Sequence, residues 1–173
     1  RERPTVQIVY TFFSPSAEHF ASQVGADFTA YLPFDTARAA QRAVGALRPT
    51  ALLFSKLDVW PVLVDQAHRR GVQLGLISAS LPRRSSRRGL GSLLTRDAYR
   101  TLDRIGAASR KDARHLTEAG SRQERIRVTG DTRYDQAWER AHVRRQNEAT
   151  VDALRSPRVT LVAGSTWPAD EAQ

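Results

Sequence analysis

Short β-branched or apolar runs alternate with stretches of helical periodicity along the whole chain, and this alternation constrains the fold most strongly. Strands are predicted over residues 6–13, 28–32, 51–54, 72–77, 105–108, 126–128 and 159–163, and helices over 15–24, 36–47, 61–70, 93–102, 110–119 and 136–154. Strands and helices in turn at this spacing predict an α/β fold, a Rossmann-like parallel sheet with helices on both faces. Such sheets bind ligands beyond the carboxyl ends of their strands, so the loops that follow the strands are the candidate site.

The chain has 173 residues, of which 40% are hydrophobic and 26% charged, as expected for a globular domain. The absence of Cys excludes disulfides, thiolate chemistry and Cys-based metal sites. No bilayer-spanning stretch or signal peptide is visible. Because Met is missing at the start and the chain ends just after a predicted strand, we expect a fragment of a longer protein. We place one domain at residues 1–155 and the beginning of a second at 156–173, since the polar segment 139–157 resembles a connection between two lobes.

The formal net charge is +9, and nearly all of the basic residues are Arg. Guanidinium groups stay charged at any working pH and pair with phosphate or carboxylate through two hydrogen bonds. The charge therefore favours an anionic partner, which is a sugar nucleotide, a phospholipid surface or a nucleic acid. Use of Arg for solubility alone explains the same composition equally well.

Two of the predicted strand-end loops carry hydroxyl or charged side chains. Ser14 and Ser16 follow the first strand at a helix start, where amides and small hydroxyls hold anions, although a plain helix cap is the commoner use of Ser there. Lys56 and Asp58 follow a buried strand and are candidates to face the crevice. The alternative is surface charge, with Trp60 packed on the core.

Two later loops are rich in Arg or contain a tight turn. Arg83 and Arg84 begin a basic cluster that runs to Arg88, for which the alternatives are binding of phosphate or anionic lipid and a solvated charge run. Gly130 allows a backbone geometry that other residues resist, and Arg133 is a candidate to point into the crevice. The four His residues show no metal spacing and are most simply surface residues. We expect neither a metal nor a cofactor, because Gly-rich nucleotide-binding loops are also missing.

The order of these loops resembles the 3-deoxy-D-manno-octulosonic acid (Kdo) transferase family of Gram-negative bacteria over residues 6–171. The elements that carry the resemblance are Thr11–Ala17, Tyr31-Leu32-Pro33-Phe34-Asp35, Asp58-Val59-Trp60-Pro61, Ser78-Ala79-Ser80-Leu81 with Arg84-Ser85, Val128-Thr129-Gly130 with Arg133-Tyr134-Asp135, and Ala163-Gly164-Ser165-Thr166. The resemblance implies that the chain is the acceptor-side, N-terminal lobe of a GT-B glycosyltransferase.

The resemblance also implies a reaction and its partners. The family transfers Kdo from CMP-Kdo to lipid A precursor, with inversion and without a metal, in lipopolysaccharide biosynthesis. The implied partners are CMP-Kdo or a related nucleotide sugar, a lipid A precursor or another anionic lipid-linked acceptor, and the membrane surface, with no nucleic acid. The implied location is the cytoplasmic face of the bacterial inner membrane.

Several site residues follow from the alignment with the family. Arg133 stands where the family has a Lys and is expected to steady the leaving phosphate, while Lys56 and Asp58 stand where it has two acids. The substrate-binding residues implied are Ser14, Ser16, Arg83, Arg84, Ser165 and Thr166. The family's catalytic base is a Glu upstream of the first hydroxyl-rich strand, outside this chain.

Lys56 reverses the charge of an acid that faces the cationic sugar centre in the family, and Coulomb repulsion there replaces attraction. A divergent GT-B protein that uses another nucleotide sugar, or a non-catalytic paralogue, is therefore the alternative. A basic nucleic-acid-binding module is less favoured, because the Arg residues are spread over many helices with few interleaved aromatic residues.

Overall fold

The computed structural model describes residues 5–81 and 90–145, and its elements follow the predicted alternation. The strands are β1 Val9–Phe12, β2 Phe28–Tyr31, β3 Ala51–Ser55, β4 Gln73–Ala79, β5 Arg104–Ala107 and β6 Ile126–Val128. The helices are α1 Glu18–Ala21, α2 Ala37–Leu47, α3 Pro61–His68, α4 Leu90–Thr101, α5 Arg110–Glu118 and α6 Thr132–Arg145. The predicted strand at 159–163 and the end of the last predicted helix lie outside the described residues.

All six described strands pair in parallel, and they form two sheets. One sheet has the order β1-β2 and the other has the order β3-β4-β5-β6. The α/β prediction, parallel strands with helices on both sides, is confirmed.

The main hydrophobic core is built by strand side chains and the helices that cover them. Leu74 and Leu76 of β4 and Ile105 of β5 are each 1% exposed, and each packs in one cluster with residues of α2 to α5. The helical members of the cluster are Ala40, Val44, Leu63, Val64, Ala67, Ala98, Tyr99, Leu102 and Leu116. Neighbouring side chains of a strand point to opposite faces, and on the other face Leu53 is 64% exposed and Ile77 is 43% exposed.

Local sequence explains where most helices begin and end. The Thr36 side chain accepts a hydrogen bond from the backbone N–H of Ala39 at the start of α2. Pro61 opens α3, and Gly71, with a φ of +73°, lies just beyond its end. At α5 the Ser109 hydroxyl caps the N–H of Asp112.

Three of the helix predictions were wrong in their bounds, and α4 begins at Leu90 rather than at residue 93. Residues 15–24 form a 3-10 turn, Pro15–Ala17, followed by the single turn α1. The segment buries only Ala21 and leaves Phe20 62% exposed, so little packing stabilises a longer helix there. The last helix begins at Thr132 rather than at residue 136, immediately after the turn at Gly130 and Asp131.

The chain divides into two compact units, Arg1–Asp131 and Thr132–Gln173. Both sheets and helices α1 to α5 belong to the first unit, and the described part of the second unit is α6. The predicted domain boundary at residue 155 lies outside the described residues and stays a prediction. Among the residues that the structure describes, no helix combines the length and apolar composition needed to cross a bilayer.

Candidate functional site

The loops after β1, β2 and β3 meet through an aromatic cluster, which consists of Phe13, Phe34 and Trp60. The ring of Phe13 lies 4.9 Å from the ring of Trp60 and 5.7 Å from that of Phe34, centroid to centroid. Phe34 is 73% exposed and Phe13 is 47% exposed, so the cluster presents aromatic surface to solvent. The structure therefore brings the predicted strand-end loops after β1 and β3 together with the loop after β2 at one edge of the strands.

Asp35, in the loop after β2, holds the start of α3, although the two are 27 and 28 residues apart in sequence. Its Oδ1 accepts a hydrogen bond from the backbone N–H of Leu63 at 2.8 Å, and its Oδ2 accepts one from that of Val62 at 3.0 Å. Trp60 occupies the cap position of α3 and supplies no side-chain hydrogen bond, so the carboxylate of Asp35 does the capping. One signal could have found this cap and was missed, because a helix opened by Trp-Pro has no capping residue of its own.

Lys56 and Asp58 both lie exposed after β3, and their predicted place in a ligand crevice stays a prediction. The backbone of Lys56 has a φ of +62°, and its N–H donates to the carbonyl of Ile77 at 2.9 Å. Within the described residues, the two side chains form no ion pair with each other and no hydrogen bond, so both charges face solvent. A residue with a side chain pays about 1–2 kcal/mol in this left-handed region, and such strain is often found at functional sites.

A second left-handed residue lies beside Lys56 at the end of β4. Ser78 has a φ of +50° and is 2% exposed, and the preceding Ile77 pairs with Ser55. The pairing of β4 with β5 shifts register between Leu76 and Ala79, which marks a bulge. The carboxyl ends of β3 and β4 are thus both turned out of regular strand geometry at the candidate site.

The two Ser residues after β1 are exposed and bonded to each other. Their hydroxyl oxygens lie 2.7 Å apart, and the Ser14 side chain accepts no capping hydrogen bond from a backbone N–H of the helical turn that follows. The simple cap interpretation of Ser14 is therefore wrong. The pair offers two hydroxyls at the strand end, where a polar ligand can accept or donate hydrogen bonds.

A polar cluster ties the segment after β4 to α5, and sequence analysis did not identify it. Asp112 accepts hydrogen bonds from the Ser80 hydroxyl at 3.2 Å and from the Leu81 N–H at 3.0 Å, and also from the Ser109 hydroxyl. His115 is half-buried, and its Nδ1–H donates to the Leu81 carbonyl at 2.6 Å, so it is not a simple surface residue. This cluster anchors the chain just before Arg83 and Arg84, which lie outside the described residues.

The turn after β6 has the positive backbone φ that was predicted from the presence of Gly130. Gly130 has a φ of +86°, and the backbone N–H groups of Thr129 and Gly130 both donate to the Ala107 carbonyl. Arg133 lies exposed on α6 in the second unit. Its role, like those of Ser165 and Thr166 outside the described residues, stays a prediction.

Between residues 5 and 81 and between 90 and 145, no three His, Asp or Glu side chains gather into a possible metal site. The hydrogen bond from the Tyr31 hydroxyl to Glu18, at 2.9 Å, raises the pKa of that phenol above its ordinary value. The described strand ends offer aromatic surface, the exposed hydroxyls of Ser14 and Ser16, the Lys56 cation and the Asp58 carboxylate, a set suited to a polar or sugar-like ligand.

Comparison with known proteins decides the family. Residues 1–136 match the family model described as 3-Deoxy-D-manno-octulosonic-acid transferase (kdotransferase). The chain belongs to the Kdo transferase family. A relative from Bordetella pertussis, a 3-deoxy-D-manno-octulosonic acid transferase, is 34% identical over 136 residues. That alignment covers 78% of this chain and 31% of the relative, so the chain spans about a third of the Kdo transferase it matches.

Solved structures agree on the fold. UDP-GlcNAc 2-epimerase from Methanocaldococcus jannaschii matches with a TM-score of 0.57 at 13% identity, over 89% of this chain and 45% of that chain. UDP-N-acetylglucosamine 2-epimerase from Rickettsia bellii matches with a TM-score of 0.51 at 16% identity, over 87% of this chain and 42% of that chain. Similarity at this level of identity supports the fold alone, while family membership supports the prediction of a glycosyltransferase.

Proposed function

We propose that this chain is the acceptor-side lobe of a glycosyltransferase that moves Kdo from CMP-Kdo to lipid A precursor. The observation that carries the proposal is the family match, which extends over residues 1–136 and so includes the loops of β1 to β6. The exposed hydroxyls, the aromatic cluster and Asp58 at the strand ends fit a sugar acceptor. The reaction runs with inversion, needs no metal and takes place at the cytoplasmic face of the inner membrane.

Each site residue has a distinct task in this proposal. Ser14, Ser16 and Asp58 line the acceptor crevice, and Arg133 stabilises the charge that develops on the leaving phosphate. Arg83 and Arg84 face acceptor phosphates or anionic lipid, where guanidinium groups pair with phosphate through two hydrogen bonds. Ser165 and Thr166 belong to the donor side. The proton acceptor is a Glu outside this chain.

The test is transfer of labelled Kdo by the whole protein, with CMP-Kdo and lipid A precursor as substrates. Arg133→Ala should lower kcat by roughly 10²–10³, the usual effect of removing one group that stabilises developing charge. Arg69→Ala is the matched control, because Arg69 is exposed directly after α3 and, among the described residues, its side chain pairs with Asp65. A wild-type protein that transfers no Kdo would refute the substrate assignment.

Lys56 favours a second candidate, in which the protein uses another nucleotide sugar or has lost catalysis. The side chain is exposed at the strand end and has no acidic partner within the described residues, so its charge would oppose a cationic sugar centre. Binding of CMP, UDP and GDP by the whole protein separates these possibilities. Activity gained by Lys56→Glu would mean that an ancestral acid was lost, whereas preferred binding of UDP or GDP would point to another donor.

A further inference from the structure

Two side chains of α5 hold the segment that follows β4. Asp112 and His115 are three residues apart, so they share one face of the helix. Leu81 donates its N–H to Oδ1 of Asp112 at 3.0 Å, and its carbonyl accepts the Nδ1–H of His115 at 2.6 Å. The same Oδ1 of Asp112 accepts the Ser80 hydroxyl at 3.2 Å. Together these four residues form what we call the strand-end clamp.

The strand-end clamp begins where pairing between β4 and β5 ends. Ala79 still pairs with β5, and its carbonyl accepts the Ala108 N–H at 2.8 Å. At Ser80 and Leu81 the side chains of α5 replace the backbone of β5 as hydrogen-bond partners. The Leu81 side chain also packs against the main hydrophobic core. The N–H, the carbonyl and the side chain of Leu81 are therefore all fixed.

The strand-end clamp also accounts for the strained backbone at the end of β4. Ser78 has a φ of +50° and is 2% exposed, and β4 shifts register against β5 between Leu76 and Ala79. Such a φ is unfavourable for a residue with a side chain, and it persists only where the surrounding structure imposes it, often at functional sites. The clamp, two and three residues further along, supplies this constraint.

The strand-end clamp lies at the edge of the sheet that carries the candidate site. Because β3 and β4 are parallel, their carboxyl ends meet at one edge, which is where open α/β sheets bind ligands. Lys56, after β3, donates its N–H to the carbonyl of Ile77 in β4 at 2.9 Å. Trp60 of the aromatic cluster packs against the same core as Leu81. A shift of the segment after β4 would therefore change the border of the site.

We propose that Asp112 and His115 are positioning residues for acceptor binding, which act through Ser80 and Leu81 without touching the substrate. The acceptor is the lipid-linked sugar of the proposed function, on which this inference rests. A segment that is already fixed loses less freedom when a ligand binds, so it binds that ligand more tightly. Without the clamp, acceptor binding weakens while binding of the nucleotide sugar stays the same.

The chemistry of the strand-end clamp separates conservative from disruptive substitutions. A carbonyl oxygen only accepts, so Nδ1 of His115 carries the proton. The amide nitrogen of Asn is bonded to Cγ, as Nδ1 of His is, so His115→Asn keeps the donor that His115→Ala removes. Asp112→Asn keeps the acceptor Oδ1 and turns its amide to the Ser109 hydroxyl, whereas Asp112→Ala removes the acceptor.

The test is the steady-state kinetics of Kdo transfer by the whole protein. Asp112→Ala and His115→Ala should each raise the KM for lipid A precursor about tenfold, while kcat and the KM for CMP-Kdo change less than about twofold. Asp112→Asn and His115→Asn should restore most of the acceptor affinity. Leu116→Val is the matched control, because it loosens the buried side of α5 and leaves the hydrogen bonds of the clamp in place.

A measurement on the wild-type protein covers any variant that fails to fold. The ring nitrogens of His115 should show the Nδ1–H tautomer by NMR. The Leu81 amide should change its chemical shift on addition of lipid A precursor and keep it on addition of CMP-Kdo. A Leu81 amide that does not respond to saturating acceptor would overturn the inference.

The kinetic outcomes separate this inference from the proposed function. An acceptor KM that stays within about twofold of wild type in both Ala variants would refute the inference alone. Equal increases in the Ala and Asn variants, or in Leu116→Val, would show that α5 is only a structural support. A wild-type protein that transfers no Kdo would refute the proposed function and this inference with it.

Discussion

At the scale of single residues, the most informative feature is backbone strain at the strand ends. Lys56 and Ser78 adopt left-handed conformations although both carry side chains, and they lie at the neighbouring carboxyl ends of β3 and β4. The sequence predicted this geometry at Gly130, where the residue type is the signal. It gave no signal at Lys56 or Ser78, because only the surrounding structure imposes a positive φ on such residues.

The turn at Gly130 gives a direct test of backbone geometry. Gly130 has a φ of +86° and open space around the position of a Cβ atom, so Gly130→Ala adds conformational strain without a clash. The free energy of unfolding should fall by about 1–2 kcal/mol in urea denaturation. Gly45→Ala is the control, because Gly45 lies within α2, and the free energy there should rise by about 0.5–1 kcal/mol. Equal effects of the two substitutions would contradict the assigned turn.

The Tyr31–Glu18 pair gives a pH-dependent test. Its hydrogen bond favours the neutral phenol and raises the pKa of Tyr31 above 10.0, so the bond's contribution is fully present below that pH and is lost as pH rises through the raised pKa. Glu18→Gln should move the pKa of Tyr31 back towards 10.0, as followed by NMR of the labelled ring carbon. Glu124→Gln should leave it unchanged, and an unaltered pKa in Glu18→Gln would exclude the pairing.

At the scale of elements, α3 depends on a residue from another loop. Asp35→Ala removes both acceptors for the first free N–H groups of α3 and should lower the free energy of unfolding by about 2 kcal/mol. Asp65→Ala, on the same helix, removes the exposed ion pair with Arg69 and a hydrogen bond from the Gln66 side chain, and should cost at most about 0.5 kcal/mol. Urea denaturation of both variants measures the difference, and similar losses would argue against the capping role.

Element types could be predicted well from periodicity, and the exceptions have physical causes. Each described strand was predicted, as was α3 from Pro61 and Gly71, because those signals are local. The helix predicted at 15–24 is shorter in the structure, because α1 buries only Ala21 and has no apolar face to pack. The capping by Asp35 and the cluster at Asp112 are contacts between residues 27 to 32 positions apart, which local patterns do not encode.

At the scale of the whole molecule, strand–helix alternation predicted the fold class but not the separation into two sheets. Alternation gives the order of elements, whereas the pairing of strands depends on which edges meet in space. The candidate site was predictable in part as a set of strand-end loops, and the loops after β1 and β3 do meet through Phe13 and Trp60, whereas the part of Phe34 in the loop after β2 was not predicted. The tasks of Arg83, Arg84, Arg133, Ser165 and Thr166 stay predictions, because they need the donor side of the protein.

The most direct test of the proposed function is the mass of the acceptor after incubation with the whole protein. Lipid A precursor and CMP-Kdo should give a product heavier by one or more Kdo units, together with free CMP, in the presence of a metal chelator. An unchanged acceptor mass with CMP-Kdo, in a preparation that converts the same acceptor with another nucleotide sugar, would contradict the account.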